Sequence, residues 1–179
     1  TPEQVDASRA LAEFRSGRPA IVAGADKTLL CLPVEGLREN RLAAFRALAA
    51  PMMPRLVLTS RRARSLGIDT SEPVAVELCD EVDARTVLAL VAENGTCFEF
   101  VPEPVDPAAA AAIDLVKLAK LLPAVLVADA DPAVTAALSP GIITVDAKAV
   151  ARFGKGAMQS LTIAGEAHVP LSSGVRARF

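Results

Sequence analysis

The sequence contains no tryptophan, no tyrosine and only six phenylalanines in 179 residues. A core built from it must be aliphatic. A platform for stacked nucleotide bases is excluded, because stacking needs several aromatic faces along one groove. Histidine occurs once, at His168. A Ser-His-Asp triad needs a base held by an acid, and zinc needs clustered ligands; neither can be assembled here. His168 reads as an ordinary surface or core histidine in a strand. The cysteines Cys31, Cys79 and Cys97 are odd in number and widely spaced, with no Cys-x-x-Cys pair. That pattern supports neither a zinc ribbon nor a thioredoxin-type centre. Cys31 and Cys97 lie inside apolar runs and read as buried thiols of a protein in a reducing cytosol. No uninterrupted apolar run is long enough for a membrane span: residues 107–127 are broken by Asp114, Lys117, Lys120 and Pro123. Thr1-Pro2-Glu3-Gln4 has no basic and apolar leader, so no signal peptide is read and a cytoplasmic location is expected.

The composition, 52% hydrophobic and 22% charged, is that of a soluble globular domain. The length suits one domain spanning 1–179, with residues 157–179 as a C-terminal strand appendage. Charge is distributed unevenly. Residues 1–68 hold 11 basic and 6 acidic side chains, a balance of +5; residues 69–114 hold 1 and 11, a balance of −10; residues 115–179 hold 7 and 4, a balance of +3. Such blocks form solvated faces, or pair within the fold or across a dimer. The sharper alternative is an anion site on the basic Arg55–Arg64 side.

Apolar spacing and turn residues predict the element order. Thr1-Pro2 opens a helix with a weak apolar stripe of Val5, Leu11, Ala12 and Phe14, stopped at Ser16-Gly17. Strands at 20–23 and 28–32 flank the turn Gly24-Ala25-Asp26-Lys27 and read as a hairpin. A helix over 37–50 places Leu37, Arg41, Ala44 and Leu48 on one side, with Leu42 and Phe45 beside them. Leu56-Val57-Leu58 suits a buried strand, Thr59 and Ser60 can cap a helix, and Gly67 stops it. Val74, Val76 and Leu78 alternate with Ala75, Glu77 and Cys79, as in a half-exposed strand. A helix over 84–92 ends at Asn94-Gly95, and a strand follows over 96–101. Residues 102–107 carry three prolines and read as a rigid turn or boundary. Asp106 caps an alanine-rich helix running to Leu122. A strand over 124–128 leads to the turn Asp129-Ala130-Asp131-Pro132, a short helix ends near Leu138, and a strand covers 142–145. Asp146 caps a helix over 147–153, and Gly154-Lys155-Gly156 reads as a flexible surface loop. A strand over 161–169 can pair with 175–179. The expected fold class is α/β (α+β), a three-layer domain with a mixed sheet and helices on both faces.

Candidate chemistry is sparse. Gly154-Lys155-Gly156-Ala157-Met158-Gln159-Ser160 lacks the spacing of a phosphate loop. Asp129 and Asp131 could pair or hold a cation, but Asp131 before Pro132 is the ordinary arrangement of a helix cap. Glu77, Asp80, Glu81 and Asp83 straddle a strand end and a helix start, where the dipole alone favours acids. The strongest candidate is a helix start bearing Arg55, Thr59, Ser60, Arg61 and Arg64. Arg61 and Arg64 share one flank and Arg62 turns away. A phosphate or carboxylate would suit that set. A merely solvated helix is the alternative.

Residues 8–69 resemble the front of 3,4-dihydroxy-2-butanone-4-phosphate synthase. The likeness rests on Phe14-Arg15-Ser16-Gly17-Arg18-Pro19-Ala20-Ile21-Val22 and on Leu58-Thr59-Ser60-Arg61-Arg62-Ala63-Arg64-Ser65-Leu66-Gly67. These answer the family's R-x-G-R-P turn and its L-T-x-x-R-A-x-x-L-G element, with Arg62 and Ala63 on the family's Arg-Ala. The resemblance implies a synthase-like fold. The family's acidic metal- and substrate-binding loop, D-D-E-D-R-E-N-E-G-D, would fall near Gly24–Thr28, where only Asp26 is acidic. Its R-x-G-H-T-E segment has no counterpart. No catalytic residue, metal ligand or cofactor is therefore carried over.

Leu118–Ala128 and Ala167–Leu171 are similar to stretches of the N-terminal half of some bacterial GTP cyclohydrolase II proteins of riboflavin biosynthesis. That resemblance implies a non-catalytic synthase-like domain. Its role would be dimerisation or support of a cyclohydrolase domain whose three zinc-binding cysteines lie outside these residues, in a longer parent. The expected partner is a second copy or that cyclohydrolase domain, with no nucleic acid and no membrane. The alternatives are an anion- or sugar-phosphate-binding protein or small-molecule enzyme using the Arg55–Arg64 helix, and a pure interaction module.

Overall fold

The computed structural model describes residues 2–93, 101–131, 141–159, 168–170 and 176–178. Its centre is a seven-stranded mixed sheet. The strands are β1 (Ala20–Ala23), β2 (Thr28–Pro33), β3 (Arg55–Leu58), β4 (Val74–Glu77), β5 (Glu103–Pro104), β6 (Ala124–Asp129) and β7 (Thr144–Asp146), in the order β5-β4-β3-β6-β2-β1-β7. Only β1 and β7 pair in parallel; every other neighbouring pair is antiparallel. The helices are α1 (Pro2–Arg15), α2 (Glu39–Ala49), α3 (Ser60–Ser65), α4 (Ala84–Ala92), α5 (Pro107–Ala119) and α6 (Ala147–Gln159). A separate antiparallel pair, β8 (His168–Pro170) and β9 (Arg176–Arg178), puts His168 opposite Arg178.

The alternation of a β-strand sorts the core into two layers. Val22, Leu29, Cys31, Val57, Ala75, Val125 and Val127 face α1, α5 and α6. Ile21, Leu30, Leu32, Leu56, Leu58, Val76 and Leu126 face α2, α3 and α4. Side chains on both faces of the central strands are thus withdrawn from water, which is why β6 reads as an unbroken aliphatic run. The expected three-layer α/β class is the one observed.

Tertiary packing moved several elements. On α1 the buried residues are Ala7, Ala10, Leu11 and Phe14, whereas Val5 is 52% exposed. The packed face of α2 is Leu42, Phe45 and Ala49 rather than the Arg41–Leu48 side. Strand β4 is not half-exposed: Ala75 is buried beneath α5, on the face opposite Val74 and Val76. The proline-rich segment 102–107 supplies an edge strand, since Glu103 and Pro104 pair with Ala75 and Val74. Proline is tolerated there because an edge strand need not donate on both sides. Helix α5 stops at Ala119, not Leu122, because Lys120 takes a left-handed conformation (φ 61°) and the Leu122 amide donates to Glu35 Oε2 at 2.9 Å. Residues 154–156 are not a loop; α6 continues through both glycines to Gln159. Each glycine costs about 1 kcal/mol in a helix. Packing of Ala149, Val150 and Phe153 on the α1 and α5 layer offsets that cost. The expected helix stop at Asn94-Gly95, most of the 96–101 strand, the short helix near Leu138 and the environment of Cys97 fall outside the described residues.

The helix starts read from the sequence are present. Asp106 Oδ1 accepts from the Ala109 amide at 2.8 Å, Asp83 Oδ1 from Thr86 at 2.7 Å, and Asp146 Oδ1 from Lys148 at 2.8 Å. The hydrogen bond from Thr86 holds the Asp83 carboxyl below its ordinary 3.8, and the hydrogen bond from Arg18 holds Glu13 below 4.5. The unfolded chain therefore takes up these protons at higher pH than the folded one. Their stabilisation is complete above the ordinary values and disappears as pH falls through the lower folded ones. The urea midpoint is expected to hold steady down to about pH 5 and to drop below it. Glu13→Gln should make the drop shallower; an unchanged slope would remove Glu13 from this account.

Among the described residues, no helix is long and apolar enough to cross a membrane.

Candidate functional site

The C-terminal ends of β1, β6 and β7 and the N-terminal ends of β2 and β3 lie along one edge of the sheet, as their pairing directions require. There the four-residue turn Gly24-Ala25-Asp26-Lys27 closes on itself, the Gly24 amide donating to Lys27 O at 2.8 Å. Beside it Asp129, the last residue of β6, accepts from Arg55 Nη2 at 2.6 Å and faces Lys27 Nζ at 3.6 Å. The Ala130 amide donates to Thr28 O at 2.8 Å and ties the strand end to the turn. A cavity of about 280 Å³ lies between the turn, Asp129 and Ala130.

The Asp129 carboxylate is shared by two cations, Lys27 and Arg55. Arg55 is the less exposed partner, with 17% of its side chain accessible against 39% for Asp129. Below the pair, the Cys31 thiol points at Leu29 O at 3.6 Å. Burial pushes that thiol far above its ordinary value, so it remains protonated and is no nucleophile. Divalent cations such as magnesium need several oxygen ligands at once. Asp129 is already shared between two cationic side chains and Asp26 is the only acid in the turn, so these residues do not fit such an ion.

The turn is tight for a physical reason. A Cβ on Gly24 would stand 2.9 Å from Lys27 O and 3.0 Å from Ala108 Cβ at the start of α5. Gly24→Val is therefore expected to force the turn away from α5 and to cost about 2 kcal/mol, as overpacking does. Equilibrium unfolding in urea measures it, and a change below 0.5 kcal/mol, the ordinary size of a surface substitution, would show that the turn yields freely.

The sequence candidates separate into two groups. Arg55 starts β3 and shares the parity of Val57, which packs toward α5. Thr59, Ser60, Arg61 and Arg64 follow the other end of that strand, on α3, which packs on the opposite face through Ala63. One strand of this length separates its ends by roughly 10 Å. The Thr59 hydroxyl accepts from the Arg62 amide at 3.3 Å and so caps α3 as expected. Arg61 and Arg64 are exposed on its flank. Arg55 and the α3 arginines do not converge on one ligand.

Two roles were not read from the sequence. One is Asp129 as the ion partner of Arg55, 74 residues away. A charged residue closing a wholly aliphatic strand was the available signal, since it demands a partner. The other is Arg62, whose side chain turns from its α3 neighbours onto the carbonyl end of α4 and bonds Leu90 O at 2.7 Å and Ala89 O at 3.2 Å. Asp129 is a strand end, not a member of a helix cap.

No family model matches the sequence, and no curated protein matches it either. Solved structures do match. RibBX, a two-domain 3,4-dihydroxy-2-butanone 4-phosphate synthase from A. baumannii, superposes with a TM-score of 0.66 at 15% identity over 94% of this chain. The fold is that of 3,4-dihydroxy-2-butanone 4-phosphate synthase. This chain spans 63% of the length of RibBX. A cation-free 3,4-dihydroxy-2-butanone 4-phosphate synthase gives a TM-score of 0.67 at 12% identity, covering 84% of this chain and 97% of that one. The Candida albicans synthase gives 0.59 at 15% identity, covering 82% and 95%. The synthase fold holds the R-x-G-R-P counterpart at Gly17 (φ 69°), where α1 turns into β1, and the second element on β3 and α3.

Proposed function

We propose that this chain is a synthase-fold domain without synthase chemistry, serving as the companion of a GTP cyclohydrolase II domain in riboflavin biosynthesis. One observation carries the reading. Where the resemblance to the synthase calls for a long acidic loop after the first strand, this chain has a four-residue turn with one acid. The neighbouring carboxylate is neutralised by Arg55 and Lys27. One of the matching structures is a synthase in complex with two magnesium ions; the turn here does not offer the ligands such ions need. A sugar phosphate would also meet Lys27 and Arg55 already paired with Asp129.

Ribulose 5-phosphate incubated with the purified chain and magnesium is expected to be consumed no faster than in a protein-free blank. Turnover above the blank would overturn the loss of chemistry. The companion role is tested in the parent protein: deleting this domain should lower GTP cyclohydrolase II activity or its thermal stability. An unchanged cyclohydrolase would overturn that part.

A further inference from the structure

Arg41, in the first turn of α2, is a partly buried cation with no carboxylate in ion-pair distance among the described residues. Carbonyls alone hold its guanidinium. Nη1 donates to Gly36 O at 3.1 Å and to Glu35 O at 3.3 Å, and Nη2 donates to Gly17 O. A guanidinium carries five N–H groups. These bonds leave the Nε–H and one N–H of Nη2 without an acceptor among the described residues. The acids beside it in sequence are engaged elsewhere: Glu35 Oε2 accepts from the Leu122 amide and Glu39 Oε2 from the Ala84 amide, each at 2.9 Å. Desolvation and the like charge of Arg38 both hold Arg41 below its ordinary pKa. The group stays protonated all the same, and an anion brought beside it would relieve both effects.

Arg41 also lines a pocket of about 150 Å³ at the end of the β1–β2 hairpin opposite the Gly24–Lys27 turn. The buried side chains of Leu32 and Phe45 form its inner wall, and Pro19, Ala44 and Leu48 form its rim. Leu48 is 36% exposed there, so an apolar occupant would cover it. Arg18, also at the pocket, is held by two hydrogen bonds to Glu13. An apolar cavity of about this volume, 150 Å³, takes one benzene-sized ring. A sugar would set unpaired hydroxyls against Leu32 and Phe45, at a cost, and a bare inorganic ion would leave those walls uncovered. A carboxylate has two oxygens for the two unclaimed donors. We propose that this pocket binds a small aromatic carboxylate, its ring against Leu32, Phe45 and Leu48 and its carboxylate on the unclaimed N–H groups of Arg41. The inference does not rest on the proposed loss of synthase chemistry or on the cyclohydrolase partner, and its test involves neither activity.

Benzoate is the probe. Titrated into the isotope-labelled full chain at neutral pH, it is expected to shift the amide resonances of Gly17, Phe45 and Leu48 in a saturable way. The dissociation constant should be about 1 mM or below, the affinity open to so few atoms. Benzamide, with the same ring and no charge, should bind about 10-fold more weakly or worse, since the charge-assisted bonds are lost. Inorganic phosphate should give no saturable shift, having no ring to seat. Arg41→Lys keeps the charge without the planar fork and should weaken benzoate about 10-fold. Ala44→Phe leaves Arg41 in place and fills the mouth of the pocket; it should also weaken benzoate about 10-fold or more, because the ring needs that concave space. No saturable shift with benzoate at concentrations well above the expected constant would overturn the proposal. So would benzamide or phosphate binding as tightly as benzoate, or a benzoate affinity unmoved by Ala44→Phe. Ala44 is exposed and lies outside both core layers, so that variant tests the pocket even where Arg41→Lys fails to fold.

Discussion

Leu126→Ala is expected to lower the unfolding free energy by about 3 kcal/mol, and Val127→Ala, its neighbour on the opposite face, by about 2 kcal/mol. Both residues are wholly buried in β6, which pairs with β2 on one side and β3 on the other. Leu126 belongs to the layer under α2, α3 and α4; Val127 belongs to the layer under α1 and α5. Removing either leaves a void that packed neighbours on three sides cannot collapse, so the cavity adds to the lost transfer energy. The contrast between the two is the sharper test. In a sheet covered on one side only, one of these substitutions would be nearly neutral. Urea midpoints at an unchanged m-value give both numbers. A cost below 0.5 kcal/mol for either, the range of ordinary surface changes, would deny that helices cover both faces at β6.

Arg62→Ala is expected to cost about 2 kcal/mol, large for a side chain at the surface. Its guanidinium donates to Leu90 O at 2.7 Å and Ala89 O at 3.2 Å, to Glu93 O, and to the Ser65 hydroxyl at 3.1 Å. The last carbonyls of a helix have no intrahelical partner, so α4 depends on such donors at its end. The same contacts fasten α3 to α4 and so close one side of the second layer. Arg62→Lys should recover less than half of the loss, because a single ammonium cannot span three carbonyls and a hydroxyl as a planar fork does. Full recovery by lysine would reduce the interaction to charge against the helix dipole. Arg61→Ala and Arg64→Ala serve as controls and should change the stability of the isolated fold by less than 0.5 kcal/mol. The resemblance to the synthase placed Arg62 on the family's Arg-Ala element, and the structure gives that position a scaffolding duty.

Other arginines repeat the device. Arg46 Nη2 donates to Cys79 O at 2.9 Å and Val82 O at 2.8 Å, and Arg15 reaches Ala119 O at the end of α5 at 3.4 Å. Arg41 bonds Gly36 O at 3.1 Å as well as Gly17 O. Four of the eleven basic residues in 1–68, Arg15, Arg41, Arg46 and Arg62, thus serve carbonyls of helices and turns, and Arg18, Lys27 and Arg55 pair with carboxylates. This explains why a basic segment of the chain is not by itself a basic ligand site.

Local rules carried much of the reading. Short-range hydrogen bonds and steric limits act within a few residues, and so the Asp83, Asp106 and Asp146 caps, the Thr59 start of α3 and the left-handed Gly67 (φ 87°) could all be read directly. The hairpin about Gly24–Lys27 and the aliphatic strands were legible for the same reason, as was the α/β class. Which side of a strand meets solvent was not, because that depends on what covers it. Ala75 is buried only because α5 lies over it, and α5 is some thirty residues away in sequence. Glycines at 154 and 156 announced a loop by propensity, and the packing of α6 overrode them by about 1 kcal/mol each.

The arginine-rich run from Arg55 to Gly67 shows the division most clearly. By itself the sequence determined its strand, its cap, its short helix and its stop, since each is decided by neighbours within a turn. Only the tertiary structure decided what its charges do. Antiparallel pairing of β3 with β6 delivers Arg55 to Asp129 at one edge of the sheet. The length of β3 carries α3 to the other edge, where Arg62 meets α4 while Arg61 and Arg64 face outward. Residues adjacent in sequence were thus parted by one extended strand, and residues far apart were joined by the sheet.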